Sequence, residues 1–157
     1  LATLHANNSY QALNRILNFY PVEVRPTMLN DLASALKAIV SQRLLRTRDE
    51  RRAPAVEVGI NTRLISELIE NGDFFGVREA LEKSMAEASQ TFEADLERLV
   101  VSGRVSREEA LAYADSPTNL MWRLDNAALQ QRRATESDAS EQLQATSFTD
   151  FKLDVKH

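Results

Sequence analysis

The chain has 157 residues, 43% of them hydrophobic and 27% charged, which is the size and composition of one ordinary domain able to bury a core. Its 19 basic residues are dispersed among 23 acidic ones for a formal net charge of -4. No sequence-wide field results that would gather nucleic acid or anionic lipid. Cysteine is absent, which excludes disulfides and thiolate metal sites and favours a reducing, cytoplasmic address. The longest apolar runs, such as Ala38-Ile39-Val40 and Leu99-Val100-Val101, fall far short of the roughly 20 residues that span a bilayer. No basic and apolar leader opens the sequence and its first residue is Leu1, so it reads as a piece cut from a longer chain.

In chain order, Leu1–His5 reads as the end of a buried strand, and Asn8 with Gln11 approximates a capping box for a helix. Ala12, Leu13, Ile16, Leu17 and Tyr20 then recur at helical spacing until Pro21. Pro26 suits a first helical turn, and Leu29, Leu32, Ala33, Leu36, Ile39 and Val40 mark one face of a helix of about four turns. From Arg43 to Arg48 the pattern changes, a charged turn follows, and Val56, Val58 and Ile60 alternate with Glu57 and Gly59. That period of two predicts a β-hairpin.

The remainder reads as helical. Leu64, Ile65, Leu68 and Ile69 stop at Asn71-Gly72, Val77, Ala80, Leu81 and Met85 mark another helix, and Phe92, Leu96, Leu99 and Val100 stop at Gly103. Ser106 with Glu109 caps a helix carrying Ala110, Leu111 and Ala114, and Ser116-Pro117 opens the last one, with Leu120, Met121 and Leu124. From Thr135 the chain is too poor in large apolar residues to offset its ordering entropy, so a disordered polar tail is expected.

Several segments in this order resemble the secretion ATPase superfamily: Thr3-Leu4-His5 before Ala6-Asn7-Asn8-Ser9, which resembles its His box; Phe19-Tyr20-Pro21; Leu36 to Leu44; Asn61 to Gly72; Gln90-Thr91-Phe92-Glu93; and Ser106 to Leu111. The resemblance covers roughly residues 1–126 and rests on the order and spacing of the pieces. Extension motors of the superfamily carry a four-cysteine zinc insert after the Gln-Arg-Leu segment. Here Gln42-Arg43-Leu44 leads into a short cysteine-free loop, which selects the type IV pilus retraction ATPases. Leu64-Ile65-Ser66-Glu67-Leu68-Ile69 departs from the Ala-Ile-Arg-Asn-Leu-Ile of PilT-like members and looks more like the PilU-like branch.

The resemblance implies an α/β fold: the carboxy-terminal part of a RecA-like P-loop ATPase domain followed by a mostly helical subdomain. Residues 1–60 would hold the end of the core, 61–134 the helical subdomain and 135–157 the polar tail. It further implies a hexameric motor for pilus retraction and twitching motility, with ATP and Mg2+ as cofactors of the parent protein. Its partners would be further copies or a partner retraction ATPase, and the pilus platform protein of the inner membrane, with the motor cytoplasmic and peripheral at the pilus base. The sequence has no Gly-Lys-Ser/Thr loop and no strand ending in a metal-binding acidic pair, both of which the family places upstream of the His box. Phosphoryl transfer needs these, so this chain alone is expected neither to bind ATP tightly nor to hydrolyse it.

Among candidate site residues, His5 corresponds by resemblance to the His-box nucleotide sensor, and Thr3 and His5 are possible ATP phosphate contacts; read without the resemblance, a lone histidine is an ordinary polar group and Thr3 an ordinary strand residue. Arg43 and Arg46 head a cluster with Arg48, Arg51 and Arg52 that fits either a solvated hairpin edge or intersubunit salt bridges; with no interleaved aromatic residues it does not fit base stacking. Arg63, Glu67 and Glu70 lie on one polar helix side, a surface that transmits motion in family members and equally a solvated amphipathic face. Asp95 with Glu97, and Glu108 with Glu109, read as surface carboxylates and a cap, and Trp122 as packed against preceding helices. The competing function is a non-enzymatic helical interaction module that binds a motor or partner protein.

Overall fold

The computed structural model describes residues 1–83 and 88–148, with side-chain surroundings as far as residue 133. The elements are α1 (Ser9–Asn18), a 3-10 turn (Val22–Val24), α2 (Arg25–Ala35), β1 (Ala38–Arg46), β2 (Arg52–Ile60), α3 (Arg63–Glu70), α4 (Phe74–Glu82), α5 (Phe92–Val101), α6 (Arg107–Tyr113) and α7 (Pro117–Phe148).

Most helix starts follow from local cap chemistry. Asn8 Oδ1 accepts from Gln11 N at 2.9 Å, and Thr62, Asp73, Thr91 and Ser106 cap α3 to α6 in the same way. Gly72 and Gly103, at φ 68 and 72, end α3 and α5 in the left-handed conformation that the sequence anticipates there.

Three expectations are corrected. Leu1–Ala6 has no regular structure and Leu1 and Leu4 are exposed, because no strand among the described residues pairs with the segment and an unpaired strand leaves its backbone groups without partners. The helix expected through Val40 ends at Ala35, and Ala38–Val40 instead open β1. There the β-branched Ile39 and Val40 join a ladder running from Ala38↔Ile60 to Arg46↔Arg52. The polar tail expected from residue 135 is helical through Phe148 as part of the 32-residue α7; residues 118–148 contain no glycine or proline and are rich in alanine, glutamine and leucine. Residues 149–157, and Met85 of the expected fourth helix, lie outside the described residues.

β1 and β2 form a two-stranded antiparallel sheet. The period of two holds, but its phase is inverted: the inner face carries Ser41, Leu45, Ala53, Ala55 and Glu57, all buried, while Val40 and Leu44 are exposed on the other side. Small inner residues let helices come close. A Cβ on Gly59 would lie 3.0 Å from Leu81 Cδ2 of α4. The hairpin loop turns on Glu50, at φ 60, whose N–H donates to Thr47 O at 3.0 Å. Outside the hairpin, Gln90 pairs with Val58 through two backbone bonds of 2.9 Å.

Two apolar clusters form the interior. One joins α1 to α4 through Leu13, Leu29, Ala33, Ile65, Ile69, Phe74, Val77 and Leu81. The other packs the hairpin, through Leu45, Ala53 and Ala55, on Phe92, Leu96, Leu99, Val105, Ala110, Leu120 and Leu124. Both cross the boundary expected at residue 60, since α1 and α2 pack with α3 and α4 while the hairpin packs with α5 to α7.

Candidate functional site around the His5 loop

His5 lies in the segment that enters α1. Its side chain is exposed and lines a cleft of about 300 Å³ with Ala6, Tyr10, Gln11, Asn14, Arg15 and Asn18. The segment is tied at two points: Arg15 Nη1 donates to His5 O at 2.9 Å, and Arg43 donates to Asn7 O through Nε at 3.3 Å and Nη2 at 3.0 Å. Thr3 is exposed in the same irregular segment.

A polar seam runs behind this loop, between the two apolar clusters. Arg43 Nη2 forms an ion pair with Asp115 Oδ1 at 2.5 Å, Nη1 donates to Tyr113 O, and the guanidinium lies over the Phe92 ring at 4.0 Å. Asp115 uses its second oxygen, Oδ2, to accept from Asn8 Nδ2 at 3.1 Å. The buried Glu57 Oε1 accepts from Ser9 N at 2.8 Å and also from Ser9 Oγ. Glu93 Oε1, buried, accepts from Ser116 N at 2.9 Å, and Asp95 Oδ2, buried, accepts from Val56 N at 2.8 Å. Each of these three carboxylates therefore satisfies a backbone donor of a different element: the start of α1, the start of α7 and the outer edge of β2.

Arg43, expected among intersubunit salt bridges, is thus engaged inside the chain, with its side chain 13% exposed. Arg46 is exposed, and only its backbone is tied, donating to Glu109 Oε1 at 2.8 Å. Arg63, Glu67 and Glu70 form an exposed face on α3, with Arg63 and Glu67 paired at 2.9 Å. Asp95 is not the surface carboxylate expected but a buried acceptor. Glu97 pairs with Arg123 of α7 at 2.7 Å. Trp122 is 68% exposed and does not pack into the preceding helices. Asn8, Glu57, Glu93 and Asp115 were not singled out from sequence. Asn8 left a signal as a cap, and Glu93 stood in one of the resembling segments without a role of its own.

Glu108 is held below the ordinary carboxylate range, chiefly by backbone N–H donation at the start of α6, then by Ser106, with smaller help from Arg48 and Arg107. Among the described residues no three His, Asp or Glu side chains gather as a metal site, and no helix is long and apolar enough to cross a membrane.

No family model matches the chain. It is 41% identical over 121 residues to the type IV pilus ATPase PilU of Pseudomonas aeruginosa, covering 76% of this chain and 32% of that protein. It is 28% identical over 117 residues to the type IV pilus retraction ATPase PilT of the same organism, covering 74% of this chain and 34% of PilT. Among solved structures, the pilus retraction motor PilT with bound ADP superposes with a TM-score of 0.65 at 26% identity, covering 74% of this chain and 32% of that one. The chain spans about a third of the length of the curated relatives it matches.

Proposed function

Because the chain belongs to the PilT/PilU-type pilus ATPases, we propose that it is the carboxy-terminal portion of a hexameric motor whose ATP hydrolysis powers type IV pilus retraction and twitching motility. The observation that carries this reading is the 41% identity to PilU over 76% of the chain. The motor would work on the cytoplasmic side of the inner membrane, against the pilus platform protein and beside further copies or a partner retraction ATPase. The phosphate loop and acidic pair required for phosphoryl transfer would come from the rest of the motor, leaving this chain inactive alone.

Within that motor, His5 and Thr3 would contact the terminal phosphate of ATP. The cleft at His5 supports this, since Arg15, Gln11, Asn14 and Asn18 line it with N–H donors suited to phosphate oxygens. Mg2+ would be held by the acidic pair that the family places upstream of the His box, together with the ATP phosphates. Arg46 and the Arg63, Glu67 and Glu70 face of α3 are exposed and would meet neighbouring subunits.

The test is a chimera in which this chain replaces the matching segment of the Pseudomonas PilU, assayed for Mg2+-dependent ATP turnover and for mass by size exclusion with light scattering. Turnover and a ring are expected from the chimera and neither from the 157-residue chain alone. His5→Ala in the chimera should abolish turnover and spare assembly; unchanged turnover refutes the role of His5. A folded chimera with neither turnover nor assembly would discard the motor reading for the helical interaction module.

A further inference from the structure

We propose that Asp115 is a positioning residue for the His5 loop, joining the α6–α7 junction to that loop through Arg43 and Asn8, a role in turnover that rests on the assignment of His5 above. Asp115 lies between the end of α6 at Tyr113 and the start of α7 at Pro117. Its side chain, 21% exposed, directs both oxygens at groups bound to the segment that carries His5. Oδ1 holds the guanidinium that donates twice to the Asn7 carbonyl, and Oδ2 holds the amide whose oxygen caps α1.

The arginine between them is fixed in every direction. Its Nε, Nη1 and Nη2 all donate, to Asn7 O, Tyr113 O and Asp115, and its face rests on the Phe92 ring. A planar fork with this many fixed partners cannot follow one partner without moving the others. A shift of the α6–α7 junction therefore reaches the Asn7 carbonyl, two residues from His5, without crossing solvent.

Attachment of α7 does not require Asp115. Leu120 and Leu124 anchor α7 in the apolar interior, Arg123 pairs with Glu97 of α5 at 2.7 Å, and Arg107 of α6 pairs with Asp125 of α7 at 2.8 Å. The Arg107–Asp125 pair ties the same two helices together and touches nothing in the His5 loop, so it separates positioning from anchoring.

The experiment compares Asp115→Asn with Asp125→Asn. In the 157-residue chain, backbone amide NMR should show Asp115→Asn displacing the signals of His5 to Asn8 while those of α3 stay in place, and Asp125→Asn should leave the His5 loop unchanged. Unmoved His5-loop signals in Asp115→Asn overturn the proposal, whatever the chimera does. In the chimera, Asp115→Asn should lower kcat on the order of ten- to a hundredfold, the scale of a misplaced catalytic group, with the ring intact and Asp125→Asn near wild type. Equal losses in the two variants would make Asp115 an anchor only. Arg43→Lys, which keeps the charge but not the fork, should reproduce the loss. A wild-type chimera without turnover would remove the motor reading, and the NMR arm would still decide the coupling.

Discussion

The two halves of the interior are held by different physics. The α1–α4 cluster is joined mainly by apolar side chains such as Leu13, Ile69, Phe74 and Val77, whose burial dominates its energetics, with Asn61 and Ser66 adding bonds to the Ala33 carbonyl where α2 meets α3. The hairpin and α5–α7 also share an apolar cluster, but the elements around it are stitched by Glu57, Glu93, Asp95 and Asp115, each accepting a donor from another element. Apolar burial tolerates some sliding, because it is non-directional. A carboxylate aimed at one N–H does not. The His5 loop enters at the border, with α1 packed into the first cluster through Leu13 and its cap tied to Asp115.

Substitutions can break or sharpen that contrast. The largest effect is expected for Phe92→Ala, which removes a fully buried ring together with the surface under Arg43; about 4 kcal/mol should be lost in denaturant unfolding. Leu13→Ala, in the other cluster, should cost about 3 kcal/mol, and a cost above that of Phe92→Ala would overturn this order. Glu57→Gln comes next, at about 1–2 kcal/mol, because the neutral amide accepts more weakly from Ser9. No loss there would show the seam to be dispensable for stability. The smallest effect belongs to Glu108. Its pKa is lowered by folding, so its contribution is present above the unfolded-state value and is lost as pH falls through the folded one. Stability curves of wild type and Glu108→Gln should therefore differ slightly at neutral pH and converge in acid; a gap that persists in acid would assign the effect to something other than ionisation.

The contrast also explains what could be read from the sequence. Cap signals are local, so Asn8 with Gln11, Ser106 with Glu109, and the glycines at 72 and 103 announce helix ends correctly. The apolar face of α3, with Ile65 and Ile69, was legible for the same reason. The hairpin phase was not, because hydrophobicity assigns Val56 and Val58 to the inside, whereas close helix packing requires the small Ala53, Ala55 and Gly59 there. The seam was least legible of all. A glutamate or aspartate in an amphipathic pattern looks the same whether it faces water or a backbone amide 39 residues away, as Asp95 faces Val56.

The hairpin loop carries a different kind of consequence. Glu50 sits at φ 60, where a side chain crowds its own backbone, at a cost on the order of 1 kcal/mol. It is exposed at the solvent tip, away from the seam. That cost is a reserve of heat tolerance: asparagine, which adopts this conformation more readily, would recover part of it, worth at most about 3 °C in the melting midpoint of a chain this size, and the His5 loop would be left as it is.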